Sequence, residues 1–537
     1  MSTQNASTSS GARAIYVVKP LEISKVLCHR RKNDREQFLI RWKTDPEFPV
    51  PPRAPCSWHD LEELTQCLHL VQIYLESRSR GQPASSSAAP NVATLGPQPL
   101  KRKRESRDGE HPLSRDSRTG YLTPARPSRS TSVISLSSSS DTSSNTGDVS
   151  VYNAVLERKD GWIVAKRSKQ IKVPKINATN LPTPEMVEQA ANTPFTQAER
   201  LIRAAFHKKL ERIPNLFLEN KIDKSTPSLD FKFIKDYVPG HGVYRADPDT
   251  YEGCDRPCKP NMGNHVGCEH PRECECLEYA AVNEDALTRD DPKQYREYMR
   301  LRQANEFIDT RGLPKRFPYH KPKGERSPQT LVQFYREQRH PIYECNVNCR
   351  CGLICKSRVV QKGRKVPLTI FKTPNRGWGV YCNEELIAGE FIDTYLGEII
   401  TTQEADRREQ ASTKEKQSYL YSLDKFVGDS LAEEESYVVD GQYMGGPTRF
   451  INHCCEPNCR QYTVSYNKND PRIYDIAFFA LEDIPAGTEL TFDYVDPDEE
   501  EEDVAVRKRE AAMRDPANAG KQRCNCGARK CRGFLWT

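Results

Sequence analysis

The chain has 537 residues, 36% hydrophobic and 29% charged, with a formal net charge of +6. The length admits two or more domains, and the balance leaves room for long solvated stretches rather than one continuous core. The first twenty residues carry no apolar run of the signal-peptide kind, and no window approaches the roughly 20 apolar residues that span a bilayer, so a soluble, intracellular protein is expected and a membrane partner is not.

Residues 13–80 read as a small sheet and helix unit. "KVLCHRR" and "EQFLIRWK" flank the turn-like "KND" as strands of a hairpin, and "WHDLEELTQCLHLVQIYLES" carries Leu64, Leu68, Val71 and Leu75 at helical spacing, enough to cap the sheet. Residues 81–150, rich in Ser, Pro, Gly, Arg and Thr, cannot bury a core and read as a disordered linker. Its "KRKR" at 101–104 is either a nuclear import signal or a solvated patch. Residues 151–229 hold "RKDGWIVAKRSKQIKVPK" at 158–175, a cationic stretch suited to an anionic polymer such as nucleic acid. They also hold "TQAE" at 196–199, a capping box opening a helix with Ile202, Ala205, Phe206 and Leu210 on one face. From about Asp230 the chain is cysteine-rich. Beyond Pro367 "PLTIFKT", "GWGVYC", "EFIDTYLGEII" and "IAFFALEDI" read as strands.

Nineteen cysteines in tight groups point, in a reducing compartment, to metal ligands rather than disulfides. One cluster is Cys254, Cys258, Cys268, Cys274 and Cys276, and a second is Cys345, Cys349, Cys351 and Cys355. Nine thiolates would fill two separate tetrahedral zinc sites and strand one cysteine, but they supply the twelve ligand positions of three zincs if three of them bridge. Such a cluster joins two distant segments in place of a hydrophobic core, so its role is structural. "CNCGARKC" supplies Cys524, Cys526 and Cys531, one ligand short of a tetrahedron. A cysteine of "NHCCEPNC", which offers Cys454, Cys455 and Cys459, would complete that site and pin the C-terminal tail across an Asn-His pair, closing an active site.

Taken in order, the nine cysteines, "RGWGV" (376–380), "YLGE" (395–398), "RFINHCCEPN" (449–458), "ELTFDY" (489–494) and the terminal "CNCGARKCRGFLW" resemble the SET-domain protein lysine methyltransferases from about Asp230 onward. The zinc modules narrow the resemblance to the suppressor-of-variegation class, of fungal type, that modifies lysine 9 of histone H3. It implies a multidomain chain with a β-rich SET fold at 362–495, a pre-SET zinc-cluster domain at 230–361 and a post-SET zinc module at 521–537; the charged loop at 496–520, anchored at both ends beside the site, reads as either autoregulatory or solvated. It also implies S-adenosylmethionine as cofactor, three zincs in the pre-SET cluster and one in the post-SET site, the histone H3 tail in the nucleosome as substrate, and a nuclear, heterochromatic setting.

Carried over by position, the resemblance makes Cys455 the fourth post-SET ligand and Cys454 the substitute for the family's serine in NHSC. A second departure is the CxxxC spacing of Cys254 and Cys258, where the family has CxC. The N-terminal unit resembles a chromodomain, a reader of methylated histone through an aromatic cage. Trp42 matches one cage position, Trp58 the later structural tryptophan, and Tyr16 or Phe48 would substitute for the missing aromatics.

Methyl transfer to lysine requires the neutral amine, and neutralising an amine of pKa near 10.4 at pH 7 costs about 4.6 kcal/mol. A neighbouring sulfonium and an apolar channel both lower that pKa, and alignment supplies most of the remaining acceleration. The resemblance puts Tyr494 at the reacting centre with Tyr395 as a second wall. A phenol of pKa about 10 is mostly protonated at neutral pH, so Tyr494 is expected to orient rather than to act as a base. Phe492 leaves space that a tyrosine hydroxyl would fill, which predicts di- and trimethylation. Gly377, Trp378, Gly379, Asn452 and His453 are the expected cofactor contacts, with Tyr421 and Arg449 nearby and Trp536 as cover. Lys508 or Lys521 of the loop would act as a pseudosubstrate, unless the loop is merely solvated. Two other readings keep the sequence facts: methylation of a non-histone lysine, and an inert methyl-lysine-binding chromatin scaffold, against which the intact Asn452, His453 and Tyr494 argue.

Overall fold

The computed structural model describes residues 17–43, 56–81, 155–159, 162–166, 181–254, 274–304, 306–320, 327–349, 351, 355–411, 419–428, 431–495, 502–515, 518 and 522–535. Tyr16, Phe48, Cys258, Cys268, Lys521, Trp536 and the Ser-rich stretch after Gly81 lie outside them.

In the N-terminal unit, β1 (Ile23–Lys32) and β2 (Arg35–Trp42) pair antiparallel, and β3 (Cys56–Asp60) pairs antiparallel with β2. Asn33 and Asp34 between the first two strands both have positive φ, a conformation that Asn and Asp tolerate and that suits the twist of a hairpin. The helix expected from "WHDLEELTQCLHLVQIYLES" is shorter than its apolar spacing suggested. "WHD" belongs to β3, Leu61–Cys67 forms 3-10 turns, and only Leu68–Gly81 is helix α1. Leu64, Leu68, Val71 and Leu75 are buried as expected. Trp42, the expected cage residue among those described, is 3% exposed; its indole N–H donates to Ser57 Oγ at 2.8 Å and its ring meets His59 edge-on.

Part of the cationic stretch forms a hairpin, β4 (Val155–Lys159) with β5 (Trp162–Lys166). Helix α2 (Pro184–Ala191), opened by the Thr183 side chain, buries Met186 and Ala190 against Cys28, Leu39 and Trp58 of the N-terminal sheet. Helix α3 (Thr196–Leu210) buries Ile202, Phe206 and Leu210. Its expected capping box is absent: the helix begins at Thr196, and the buried carboxylate of Glu36 on β2 accepts from Gln197 N and Ala198 N, each at 2.8 Å. A residue 161 and 162 positions upstream of these amides thus does what the local sequence was expected to do, at a helix end where both negative charge and acceptors are favoured.

The C-terminal half is built of small sheets. Strand β6 (Leu216–Glu219) lies beside β10 (Leu368–Lys372), which pairs antiparallel with β11 (Trp378–Cys382). Strands β7 (Lys232–Phe233) and β8 (Val238–Pro239) join partners later in the chain. Helices α4 (Glu284–Asp290), α5 (Pro292–Gln303) and α6 (Gln333–Gln338) lead to β9 (Ile342–Tyr343). "EFIDTYLGEII" is two strands, β12 (Phe391–Tyr395) and β13 (Glu398–Thr401), parted where Gly397 passes so close to Asp440 that a Cβ would sit 2.4 Å from its carbonyl oxygen. After α7 (Thr402–Ala411) come β14 (Leu420–Ser422), β15 (Tyr437–Asp440), β16 (Met444–Gly445), β17 (Asn452–His453), β18 (Cys459–Ser465), β19 (Asp475–Ala480) and β20 (Thr491–Phe492), then α8 (Glu502–Arg514). The four-stranded sheets run β12-β19-β18-β9 and β14-β15-β13-β8.

One pairing fixes the site. β17 lies parallel to β20, Asn452 opposite Thr491 and His453 opposite Phe492, which brings the Asn-His pair against "TFDY" across 37 intervening residues. Helix α8 corrects the expectation of a simple loop after "FDY", and Lys508 is exposed on it.

Candidate functional site: a cavity beside the tail thiols

Seven of the nine expected cluster cysteines are described, and all are buried. Their sulfurs form three groups, each within 4.8 Å: Cys254, Cys276 and Cys349; Cys274, Cys276 and Cys345; Cys345, Cys351 and Cys355. Cys276 and Cys345 belong to two groups each, so two thiols stand where bridging ligands would. Sulfur separations of 3.2 to 4.0 Å lie far beyond a disulfide and straddle the roughly 3.8 Å edge of a tetrahedron with 2.3 Å metal–sulfur bonds. The donor set therefore fits zinc. Arg358, 3% exposed, points a guanidinium nitrogen to Cys351 Sγ at 3.7 Å, a cation suited to a thiolate-rich cluster. Glu344, beside Cys345, accepts from Tyr319 Oη at 2.6 Å and from the Val359 and Val360 amides at 2.9 Å each, tying the cluster to the sheet through β9.

At the tail, Cys455, Cys524, Cys526 and Cys531 converge within the same limit. Of the three cysteines the sequence offered, the structure brings in Cys455. Cys454 Sγ turns to Glu456 O at 3.1 Å, and Cys459 is buried on β18 with its thiol on Thr491 O. Nitrogen donors surround the four sulfurs: Arg532 N to Cys455 Sγ and Gly533 N to Cys531 Sγ, both at 3.4 Å. His453 Nε2 lies 3.2 Å from Cys455 Sγ, so the Asn-His pair and the thiol site share an atom contact.

Between them lies a cavity of about 270 Å³. Of the expected residues, Gly377, Tyr395, Tyr421, Arg449, Asn452, His453, Phe492 and Tyr494 line it. Trp378 and Gly379 are not among the lining residues but adjoin them: Trp378 O accepts from Asn452 Nδ2 at 3.2 Å, and a Cβ on Gly379 would meet Phe371 and Glu489. Lys508 is not among the lining residues either. Tyr419, Thr448, Asn375 and Arg376 line the cavity and were not anticipated. The expected residues close to them in sequence, Tyr421, Arg449 and Gly377, were the available signal. Gln522, Asn525 and Leu535 of the tail complete it.

Aromatic rings and carbonyls set its chemistry. Tyr494 Oη donates to Ile451 O at 2.9 Å and Tyr395 Oη to Tyr419 O at 2.8 Å. Burial pushes both phenols well above their ordinary range. They are therefore protonated at neutral pH, each with its hydrogen engaged on a carbonyl oxygen. Phe492 sits 4.8 Å, ring to ring, from both Tyr494 and Phe478. His453 accepts from Tyr494 N through Nδ1 at 3.2 Å, and burial lowers its pKa, which keeps it neutral. Arg449 is stacked on Tyr419 at 4.1 Å and on Phe231 at 4.7 Å while donating to Gly441 O at 2.9 Å, a posture that fixes it rigidly at the rim. The cavity thus joins guanidinium groups of Arg376 and Arg449 to a cluster of aromatic rings from Tyr395, Tyr419, Phe492 and Tyr494.

Comparison with known proteins bears on this arrangement. The SET domain family matches residues 377–495 and the Pre-SET motif residues 207–358. The Neurospora crassa protein named histone-lysine N-methyltransferase, H3 lysine-9 specific dim-5, is 37% identical over 324 residues, 59% of this chain and 87% of that protein. The Fusarium mangiferae histone-lysine N-methyltransferase, H3 lysine-9 specific KMT1, is 37% identical over 330 residues, 60% of this chain and 88% of that one. A solved structure of the Neurospora SET domain protein DIM-5, a histone lysine methyltransferase, covers 53% of this chain and 97% of its own at 35% identity, with a TM-score of 0.42.

Proposed function

Because this chain belongs to the SET-domain histone-lysine N-methyltransferases specific for lysine 9 of histone H3, we propose that its cavity transfers methyl groups from S-adenosylmethionine to that lysine, to the di- and trimethylated states. The observation that carries the reading is the convergence of Tyr494, Tyr395 and Phe492 with Asn452 and His453 in one cavity walled by the tail.

The cofactor, when bound, supplies an electrophilic methyl on a sulfonium. The remaining work falls to the protein. Gly377, Tyr421, Arg449, Asn452 and His453 would hold the cofactor, and Trp536 would cover it. Tyr494 and Tyr395 offer oxygen lone pairs to the lysine amine, because their own hydrogens are committed to Ile451 O and Tyr419 O. Neither takes the amine's proton, since burial keeps both phenols protonated. Proton loss to water therefore precedes transfer, and the apolar slot favours the neutral amine. Phe492 adds no hydroxyl to the slot, which leaves room for a methylated amine to turn.

Zinc is the metal that the thiol sets fit, three ions in the pre-SET cluster and one at the tail, with Cys258 and Cys268 completing the first. The N-terminal sheet and helix suit a chromodomain-like module for methylated histone, and the segment 158–175 suits nucleic acid. A nuclear, heterochromatic role accords with these properties. Incubation of the protein with labelled S-adenosylmethionine and H3 tail peptides, with Tyr494→Phe beside it, tests the proposal. Transfer that is lost in the variant is expected, and equal transfer by both would overturn the assignment of Tyr494.

A further inference from the structure

Glu489 opens the "ELTFDY" stretch and has no role in the proposal above, yet it stands directly behind the cavity wall. Its Oε1 accepts from Asn452 Nδ2 at 2.8 Å, and its Oε2 pairs with the Arg376 guanidinium. Asn452 Nδ2 also donates to Trp378 O. Both amide hydrogens are thus committed to oxygens, which fixes the orientation of the amide, because Oδ1 cannot face two acceptors. Among the described residues nothing donates to Asn452 Oδ1, and that atom is not sealed from solvent. Asn452 and Arg376 both line the cavity. Gly379 makes room for the arrangement, since a Cβ there would lie 2.9 Å from Glu489 Oε1.

We infer that Glu489 is a positioning residue: one carboxylate holds Asn452 as an acceptor and Arg376 as a donor toward the ligand, and so sets the polarity of that wall. A ligand group meeting Asn452 is then a hydrogen-bond donor such as an ammonium, and one meeting Arg376 an acceptor such as a carboxylate. The inference rests on the proposed binding of S-adenosylmethionine in this cavity.

Two substitutions separate positioning from packing. Glu489→Gln keeps the shape but has one acceptor oxygen for two donors, so its N–H2 must face either the Asn452 amide or the Arg376 guanidinium and unsettles the orientation of that wall. Glu489→Asp loses a methylene and keeps the acceptor. Positioning predicts that the Gln variant raises the KM for S-adenosylmethionine and the Kd for S-adenosylhomocysteine by about tenfold or more, with the peptide KM within about twofold of wild type, and that the Asp variant is the milder one. A packing role predicts the reverse order. Glu489→Gln is also expected to improve an Asn452→Asp variant, because it replaces a facing carboxylate with a donor, and this comparison within a double-mutant cycle holds even if the single Gln variant folds poorly. A Gln variant with wild-type cofactor affinity, or no improvement of Asn452→Asp, would overturn the inference while leaving the proposed function intact. A wild-type protein that neither binds S-adenosylhomocysteine nor transfers methyl groups would overturn both.

Discussion

Arg532 of the C-terminal tail grips Asp493 of "TFDY" with two parallel bonds, Nη1 to Oδ2 at 2.5 Å and Nη2 to Oδ1 at 2.7 Å. The pair lies next to two residues that line the cavity, Phe492 and Tyr494, and one position past Cys531 of the tail thiol group. Tail and reacting centre are therefore locked by a charge pair as well as by thiols.

Arg532→Gln is predicted to loosen the tail, because the buried Asp493 carboxylate keeps the Val495 amide but loses its bidentate cation, at a cost of up to about 3 kcal/mol. Hydrogen exchange of residues 522–535 should quicken and the cofactor KM rise. The effect has a pH signature. Burial alone would raise the Asp493 pKa, but the bond and charge of Arg532 outweigh it and hold the carboxyl below its ordinary value. A depressed folded pKa means stability present above the unfolded pKa, about 3.9, and lost as pH falls through the lower folded value. The stability gap between wild type and Arg532→Gln should be constant at neutral pH and close only below about pH 4.

Metal removal should occur in two steps. Cys455, Cys524 and Cys526 are half-buried, whereas the described pre-SET thiols are buried throughout. A chelator is expected to strip the tail site first, abolishing S-adenosylhomocysteine binding while the circular dichroism of the sheets persists. Zinc release followed with a colorimetric indicator should be biphasic in wild type and lack its fast phase in Cys526→Ser. A single phase in both proteins would contradict this.

Phe492→Tyr is predicted to shift the product towards monomethyl-lysine, because a hydroxyl would enter the space beside Tyr494. Mass spectrometry of the peptide reads the distribution directly, and an unchanged one would refute the assignment of Phe492 to the slot.

Glu36→Ala should uncap α3 and cost about 1–2 kcal/mol, as loss of a buried helix cap does. Since Glu36 lies on the N-terminal sheet, proteolysis between that sheet and α3 should accelerate too. Equilibrium denaturation and timed digestion check the two halves of this prediction.

The sequence motifs disclosed the chemistry more fully than the elements that deliver it. "RGWGV" and "RFINHCCEPN" pointed to the cavity because their residue types are chemically distinctive, and the count of thiols pointed to shared metals. Local pattern could not disclose that Asn452 and Thr491 lie side by side, since a two-residue parallel strand carries no periodicity. It misjudged "TQAE" for a related reason: the acceptors that satisfy the α3 amides come from Glu36 on another unit. "WHD" read as helix because the spacing of Leu64, Leu68, Val71 and Leu75 was taken to run through it, yet pairing with β2 claims it as strand. Trp42 followed family register into a cage, whereas the packing of the sheet and α1 draws its ring inward. Arg376 and Glu489 escaped notice because each acquires its meaning only beside the other.

Methyl transfer onto the H3 tail itself tests the account most directly. With purified protein, S-adenosylmethionine and an H3 tail peptide, intact-mass analysis should show one, two and then three methyl groups added at lysine 9, and none on a peptide with arginine at that position. Equal methylation of the arginine-substituted peptide, or no transfer by a zinc-replete protein, would contradict it.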